Sequence, residues 1–208
     1  MLRVGLTGSI AVGKSFVTSV LGDLGCRTID ADAIAREVVA PGSPGLVSVV
    51  AAFGGTILTA EGTLDRKKLG EVVFSDEFRL KQLNSILHPL IIARQDELLR
   101  KWELEEPGGV AVVDAALMIE SGGFRRFDKI IVVHCRPEVQ LQRVMDRDGL
   151  SREAAEKKIS SQMSQEEKLK FADYRIDTSA GFEDTRRQTE ELYKQLQSIA
   201  KVESKTKP

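Results

Sequence analysis

Eight residues near the start of the chain have the types and spacing of a phosphate-binding loop. Residues 8–15 read Gly-Ser-Ile-Ala-Val-Gly-Lys-Ser and match the pattern G-x-x-x-x-G-K-[ST]. In such a loop backbone N–H groups point at phosphate oxygens, the lysine contacts the β- and γ-phosphates, and the hydroxyl binds Mg²⁺. We therefore predict a nucleoside triphosphate site that uses Lys14 and Ser15. The alternative is a glycine-rich turn that binds nothing, but the apolar run before the loop and the helical pattern after it favour the first interpretation.

Three aspartates lie at or just after the carboxyl ends of predicted strands, where a parallel sheet gathers its ligands. Asp30 and Asp32 are two residues apart, so that in an extended backbone both would share one face. Either could orient an acceptor hydroxyl and take its proton during phosphoryl transfer, or could instead cap a helix that begins at Ala33. Asp114 follows an apolar run, as does the aspartate that contacts Mg²⁺ in phosphate-loop enzymes.

Basic side chains follow in the second half of the chain. Arg143 and Arg147 are four residues apart and share one face of a predicted helix, and Arg152 and Lys168 lie in the polar segment after it. Guanidinium groups on such a segment could close over transferring phosphates, neutralise charge and exclude water. The alternative is a solvated charged face that neighbouring acidic residues balance.

Five short runs rich in valine and isoleucine have the length and composition of strands. Several are continuously apolar, which is typical of a parallel sheet covered on both faces. Helical patterns separate them, including Ser15–Leu24, Glu138–Arg147 and a last helix with Phe182, Leu192, Leu196 and Ile199 on one core-facing stripe. This alternation predicts an α/β fold. The strands are expected at Leu2–Thr7, Arg27–Asp30, Val110–Asp114, Lys129–His134 and Tyr174–Asp177.

The order of these elements predicts one core that is interrupted by a helical insertion and a helical lid. Residues 1–30 and 110–200 form the predicted core, and residues 31–109, which lack a convincing strand, form a helical insertion. The polar stretch 148–170 is expected to be an exposed helical lid, with Ser151 as a helix N-cap, and residues 201–208 a frayed tail. Within the insertion we expect helices, broken by glycine and proline and at the His88-Pro89 step, at Ala31–Val39, Ser43–Phe53, Arg66–Phe74 and Asp76–Glu106.

Composition excludes several classes of protein. The 208 residues carry 30 Lys and Arg against 31 Asp and Glu, and a net charge of −1 gives no support for a nonspecific nucleic-acid binder. No apolar run approaches the roughly 18 residues of a membrane span, and no signal peptide is visible. Cys26, Cys135, His88 and His134 have no metal-binding spacing. We expect a cytoplasmic protein without a membrane or nucleic-acid partner.

Several motifs, in an order and spacing more specific than the phosphate loop alone, resemble the dephospho-coenzyme A (dephospho-CoA) kinase family. The resemblance covers nearly the whole chain. The residues that carry it are Gly5-Leu6-Thr7-Gly8 with Gly13-Lys14-Ser15, Ile29-Asp30-Ala31-Asp32 with Arg36, Leu87-His88-Pro89, Asp114 with Glu120-Ser121-Gly122, and Gln140, Arg143, Arg147, Gln162 and Lys168.

The resemblance implies transfer of the γ-phosphoryl group of ATP, with Mg²⁺, to the ribose 3′-hydroxyl of dephospho-CoA, the last step of CoA biosynthesis. It implies a phosphate-loop kinase-like, parallel five-stranded sheet flanked by helices, with a helical acceptor-binding insertion and a helical lid. By position it implies catalytic roles for Asp32, Lys14, Arg143 and Arg147. It further assigns ATP to Gly8, Ala11, Val12, Gly13, Lys14, Ser15, Phe16 and Thr178, the acceptor to Thr7, Asp32, Arg36, His88 and Asp114, and the metal to Ser15 and Asp114.

Three departures from the family pattern bear on these roles. Ala11 and Val12 replace the usual Gly-Ser, so that phosphate binding requires Ala11 to adopt its local φ. The run Ala115–Met118 lacks the usual proline, which affects the shape of that loop. Thr178 stands in place of asparagine in a loop that lies near the adenine in related kinases, so that purine selectivity could differ.

Other interpretations stay open. A different nucleotide or small-metabolite kinase could use the same core and lid, and a nucleotide-binding regulatory module would need no acceptor at all. His88 could start a helix before Pro89 rather than contact the acceptor. We expect a monomer.

Overall fold

The centre of the fold is a five-stranded sheet. A computed structural model of the chain describes residues 1–206, with side chains as far as Val202. The strands lie in the order β2-β3-β1-β4-β5, and the pairs β1–β3, β1–β4 and β4–β5 are parallel. The predicted bounds are confirmed for all five: β1 (Leu2–Thr7), β2 (Arg27–Asp30), β3 (Val110–Asp114), β4 (Lys129–His134) and β5 (Tyr174–Asp177).

Two compact units make up the chain, and each is described by itself. The first contains Met1–Ile29 and the chain from Lys101 onward, and the second contains Asp30–Arg100. The core of the first unit lies between the sheet and its helices. Val4 and Leu6 of β1, for example, are fully buried in the same apolar cluster as Leu196 of the last helix.

The helices of the first unit complete the alternation predicted from the sequence. They are α1 (Lys14–Asp23), α6 (Pro137–Asp148), α7 (Arg152–Ser160), α8 (Gln165–Leu169) and α9 (Phe182–Thr206). In α9, Leu192 and Leu196 are buried as predicted. The prediction that Phe182 faces the core was wrong: it is the first residue of α9, is 73% exposed, and its ring contacts Phe16.

The predicted lid is helical, but it is not exposed throughout. Ser151 caps α7 as predicted, because its hydroxyl accepts a hydrogen bond from Ala154 N. Lys168, in α8, is fully buried rather than solvated. The tail predicted to fray from residue 201 instead continues α9 as far as Thr206, and residues 207–208 lie outside the described part of the chain.

The second unit is helical and has an apolar cluster of its own. Its helices are α2 (Ala31–Glu37), α3 (Pro44–Phe53), α4 (Arg66–Phe74) and most of α5 (Glu77–Glu105). The cluster includes Val49, Ile57, Val73 and Leu83.

The predicted break at His88-Pro89 was wrong, since Pro89 lies inside the continuous helix α5. Pro89 removes one backbone hydrogen-bond donor, whereas Leu83, Ile86 and Leu87 in the turns before it pack on the apolar cluster and hold the helix in place. The interpretation of His88 as the start of a helix was wrong for the same reason, because His88 also lies inside α5.

No described helix is both long enough and apolar enough to cross a membrane.

Candidate active site

The phosphate loop joins β1 to α1 and requires an unusual backbone. A Cβ at Gly8 would lie 2.6 Å from the carbonyl oxygen of Val133, and Gly13 has a φ of +86°, so that both positions need glycine. Ala11 has a φ of +58° and is the one non-glycine residue with positive φ within residues 1–206. A left-handed alanine costs about 1 kcal/mol. The sequence could identify the substitution at Ala11, but the strain is visible only in the structure.

The loop forms one wall of a cleft of about 940 Å³ in the first unit. The cleft brings together the predicted ATP-binding residues and the two predicted arginines of α6, Arg143 and Arg147. Its walls also contain polar and aromatic residues to which the sequence assigned no role. The lining residues include Gly8–Phe16, Arg143, Arg147, Lys158, Gln162, Thr178 and Phe182.

Lys14 lies at the base of the cleft beside the acidic end of β3. Leu6 of β1 pairs in register with Asp114 of β3, so the sheet itself places this carboxylate next to the start of the loop. The Lys14 ammonium forms an ion pair with Asp114 Oδ1, and Thr18 Oγ1 donates to Asp114 Oδ2 at 2.7 Å. The structure therefore places Lys14 and Thr18 beside Asp114. The predicted roles of Lys14 at the phosphates and of Asp114 at the metal stay predictions. Ser15 is exposed in the same loop and lines the cleft.

Arg143 is fixed against the loop that follows β5. Its Nη1 and Nη2 donate to Thr178 Oγ1 and to the Thr178 carbonyl oxygen, each at 2.8 Å. The Thr178 hydroxyl in turn donates to the carbonyl oxygen of Val12 at 2.7 Å. Thr178 is buried, and its hydroxyl thus connects the arginine to the phosphate loop. The predicted contact of Thr178 with ATP, and its effect on purine selectivity, stay predictions.

Arg147 also lines the cleft, and its guanidinium group is held by Asp148. Its Nε and Nη2 donate to the two carboxylate oxygens of Asp148, both at 2.9 Å, and Lys158 Nζ donates to Asp148 Oδ2 at 3.1 Å. The hydrogen bonds from Arg147, followed by that from Lys158, hold the pKa of the Asp148 carboxyl well below its ordinary value. Asp148 thus gathers two cations at the start of the lid, of which the sequence predicted only Arg147.

Arg152 lies apart from these cations, since its Nε donates to Glu156 on the exposed face of α7 at 2.9 Å. For this residue the solvated-face interpretation is the one that the structure supports.

A buried lysine ties α8 to the loop after β3. Lys168 Nζ donates to the carbonyl oxygen of Ala116 at 2.7 Å and forms an ion pair with Glu120 at 2.9 Å. Thr7 Oγ1 donates to the same Ala116 oxygen at 3.1 Å. Thr7 and Lys168 therefore hold one wall of the cleft. The predicted contact of Thr7 with the acceptor stays a prediction.

The remaining predicted acceptor residues belong to the second unit. Asp30 caps α2, because its Oδ1 accepts hydrogen bonds from the backbone N–H groups of Asp32 and Ala33 at 2.8 and 3.1 Å. Because α2 begins at Ala31, Asp32 is in the first helical turn, and the expected shared face of an extended backbone was wrong. Asp32, Arg36 and His88 are exposed. Their roles stay predictions.

Two kinds of site residue had no readable signal in the sequence. Phe182 lines the cleft with its ring centroid 4.8 Å from that of Phe16, although the periodicity of α9 placed it in the core. Gln140 and Gln162 hydrogen-bond to the backbone of the phosphate loop. Both glutamines belong to the motifs that carried the family resemblance, but a glutamine in a helix or turn does not by itself indicate which backbone group it binds.

Comparison with known proteins finds similarity along almost the whole chain. A family model described as dephospho-CoA kinase matches residues 2–184. The dephospho-CoA kinase of Geobacter sulfurreducens is 46% identical over 191 residues, which cover 91% of this chain and 96% of that protein.

Solved structures agree with the sequence comparison. A crystal structure of a Thermus thermophilus protein matches with a TM-score of 0.79 and 31% identity, covering 94% of this chain and 97% of that one. The dephospho-CoA kinase from Campylobacter jejuni matches with a TM-score of 0.63 and 31% identity, covering 93% and 96%. With the phosphate loop, the cleft and the parallel sheet in place, these matches show that the chain belongs to the dephospho-CoA kinase family.

Proposed function

We propose that this cleft transfers the γ-phosphoryl group of ATP to the ribose 3′-hydroxyl of dephospho-CoA. Membership of the family makes the chain an ATP-dependent kinase of dephospho-CoA, acting in CoA biosynthesis. The observation that carries the assignment to this site is that the phosphate loop, Lys14, Arg143 and Arg147 line one cleft. We further propose a monomeric, cytoplasmic enzyme that needs no membrane or nucleic-acid partner.

On the donor side, the chain supplies backbone N–H groups and fixed cations. Gly8 and the residues from Ala11 to Phe16 surround the phosphates, and the N-terminus of α1 adds the positive end of its helix dipole. Lys14 places a point charge on the transferring group, and Arg143, already fixed by Thr178, stabilises charge without having to reorganise. Arg147, in the last turn of α6 just before the lid, supplies a second guanidinium charge to the phosphates.

Ser15 and Asp114 fit a hard divalent cation, because both present oxygen ligands. Asp114 is buried beside Lys14, and Ser15 is exposed in the cleft. Mg²⁺, when bound, neutralises charge on the β- and γ-phosphate oxygens. The two residues would hold it, and Thr18, which donates to Asp114, orients the carboxylate.

On the acceptor side, Asp32 is the better candidate for the carboxylate that orients the hydroxyl and receives its proton. The Asp30 carboxylate is committed to capping α2, and its Oδ2 lies 3.8 Å from Arg36. Asp32 is in the first turn and exposed. Since an ordinary aspartate is a weak base at neutral pH, orientation of the hydroxyl is its larger contribution. We propose that Arg36 and His88 of the helical insertion, together with Thr7 and Asp114, contact the acceptor.

Release of ADP with different acceptors tests the proposal. We expect turnover with dephospho-CoA and little with nucleoside monophosphates. A 3′-deoxy analogue of dephospho-CoA serves as the matched control, because it keeps the rest of the acceptor and should release no ADP above background. Turnover only with the monophosphates would favour a nucleotide kinase instead. Tight ATP binding without turnover of any acceptor would favour a regulatory module.

A further inference from the structure

Both backbone polar groups of Ile10, in the phosphate loop, are bound by glutamine side chains. The Ile10 N–H donates to Gln162 Oε1 at 2.8 Å, and Gln140 Nε2 donates to the Ile10 carbonyl oxygen at 2.8 Å. Gln140 lies in α6 and is 3% exposed, whereas Gln162 lies between α7 and α8, within the predicted lid. Two separate elements thus hold one residue of the loop.

The amide orientations in this network follow from backbone groups that can act in only one way. The Cys135 N–H can only donate, and Gln165 Oε1 accepts from it at 2.9 Å. Gln165 Nε2 then donates to Gln140 Oε1 at 2.7 Å, which leaves Gln140 Nε2 to donate to the Ile10 carbonyl. The chain of hydrogen bonds is satisfied in one direction only, so that Gln140 has a single productive orientation.

The residue next to Ile10 is the strained one. Ala11 has its φ at +58°, and the rotation that would relax this angle turns the peptide plane that contains the Ile10 carbonyl. Gln140 holds that carbonyl, and Gln162 holds the peptide group before it. Both hydrogen bonds therefore oppose the rotation by which Ala11 would leave the left-handed conformation. A glycine at this position would adopt the same conformation without strain.

We infer that Gln140 and Gln162 are positioning residues that hold Ala11 in its left-handed conformation and so keep the phosphate loop in its nucleotide-binding shape. Gln165 orients Gln140. The inference rests on the proposed function only in that the loop binds ATP. The hydrogen bond from Ile10 to Gln162 connects the predicted lid directly to the donor site.

A double-mutant cycle between Gln140 and position 11 tests this inference. Nucleotide binding is measured directly with a fluorescent ATP analogue in the absence of acceptor, and the KM values for ATP and dephospho-CoA are measured alongside. In the native Ala11 background we expect Gln140→Leu to weaken binding by about tenfold, and in the Ala11→Gly background by about threefold or less. The KM for dephospho-CoA should change by less than about twofold in each variant.

Equal loss of nucleotide affinity in the two backgrounds would overturn the inference, as would unchanged affinity in Gln140→Leu. If Gln140→Leu fails to fold, Gln162→Leu, at a less buried position, replaces it in the same double-mutant cycle with position 11. Gln142→Leu is the matched control, because Gln142 is exposed on α6 and donates to Asp146 of the same helix; its affinity should equal that of the native protein.

The proposed function and the inference can fail separately. If the native protein binds the nucleotide without phosphorylating dephospho-CoA, the proposed function fails while the cycle still measures the coupling between Gln140 and Ala11. If the native protein does not bind the nucleotide, both fail.

Discussion

At the scale of single residues, Asp30 and Asp32 have the same side chain but different environments. Asp30 is an N-cap, a role in which asparagine serves equally well, so we expect Asp30→Asn to change kcat by less than about threefold and the free energy of unfolding by less than about 0.5 kcal/mol. Asp32→Asn should keep ATP binding but lower kcat on the order of 100-fold, because the acceptor loses an ionised partner. Steady-state kinetics at saturating ATP and dephospho-CoA measures both.

The pair of variants contains its own control, since each replaces the same charge within one short segment. Equal losses of kcat would indicate a general effect of charge. An unaltered kcat in Asp32→Asn would show that Asp32 is not the carboxylate that acts on the acceptor. Nucleotide affinity and urea unfolding, measured on the same samples, separate either result from a change in ATP binding or in folding.

The phosphate loop shows how far single residues can be predicted. Lys14 and Ser15 follow from an eight-residue pattern because the loop is contiguous, and the sheet register then accounts for Asp114. The bonds between Arg143 and Thr178 join residues 35 positions apart, and no local pattern indicates them. The same holds for the glutamines that bind Ile10, because their partners are backbone groups, which leave no trace in the sequence.

At the scale of elements, the buried ion pair of Lys168 is expected to decide how α8 packs. Lys168 is fully buried, and its partner Glu120 has 23% of its side chain exposed. Lys168→Met fills a similar volume but leaves Glu120 without its cation, with the Met163 N–H at 3.4 Å as a remaining donor, and leaves the Ala116 carbonyl with one donor fewer. We expect the free energy of unfolding to fall by about 3 kcal/mol, measured by urea denaturation. Lys170→Met, on an exposed lysine two positions along, should change it by less than about 0.5 kcal/mol. Similar values for the two variants would contradict the burial of Lys168.

Element boundaries were predictable where local chemistry sets them and not where packing does. All five strands follow from short runs rich in valine and isoleucine, several of them continuously apolar, and the start of α7 follows from Ser151. The break expected at Pro89 did not occur, because the loss of one hydrogen bond is local whereas helix α5 also packs on the apolar cluster of the second unit. The burial of Lys168 likewise depends on tertiary contacts, with Ala116 and Glu120, and the charge of the residue alone does not predict it.

At the scale of the whole molecule, the net charge of −1 conceals how the cations are distributed. Lys14, Arg143, Arg147 and Lys158 all line one cleft. Each of the last two is paired with Asp148, and Lys14 with Asp114, so that several cations line the cleft although the net charge of the chain is close to zero. The charge balance of the chain argues against a broadly basic surface, but it does not reveal a cleft lined by cations, because the fold brings these residues together from distant parts of the sequence.

The core of the first unit also makes stability depend on pH above neutrality. Burial, followed by the charge of Glu106, raises the pKa of the Cys26 thiol to about 12; Tyr193 is another ionisable neighbour, and its own pKa is raised by burial and by Cys26. An unfolded cysteine titrates near 8.5. Below that pH the thiol is protonated in both states, and its contribution to stability is fully present. As the pH rises toward 12, the unfolded chain releases the proton while the folded chain keeps it, so that unfolding becomes more favourable.

Between pH 8 and pH 9.5 this group alone should lower the free energy of unfolding by about 1 kcal/mol. Cys26→Ala removes the titrating thiol, so its stability should fall less than that of the native protein over the same interval, even though it is less stable at pH 7 because a buried side chain has been truncated. Urea denaturation at several pH values gives both slopes. Ser19→Ala, an exposed position in α1, should keep the native slope. Parallel slopes for the native protein and Cys26→Ala would show that the thiol titrates alike in both states, contrary to its burial between the sheet and its helices.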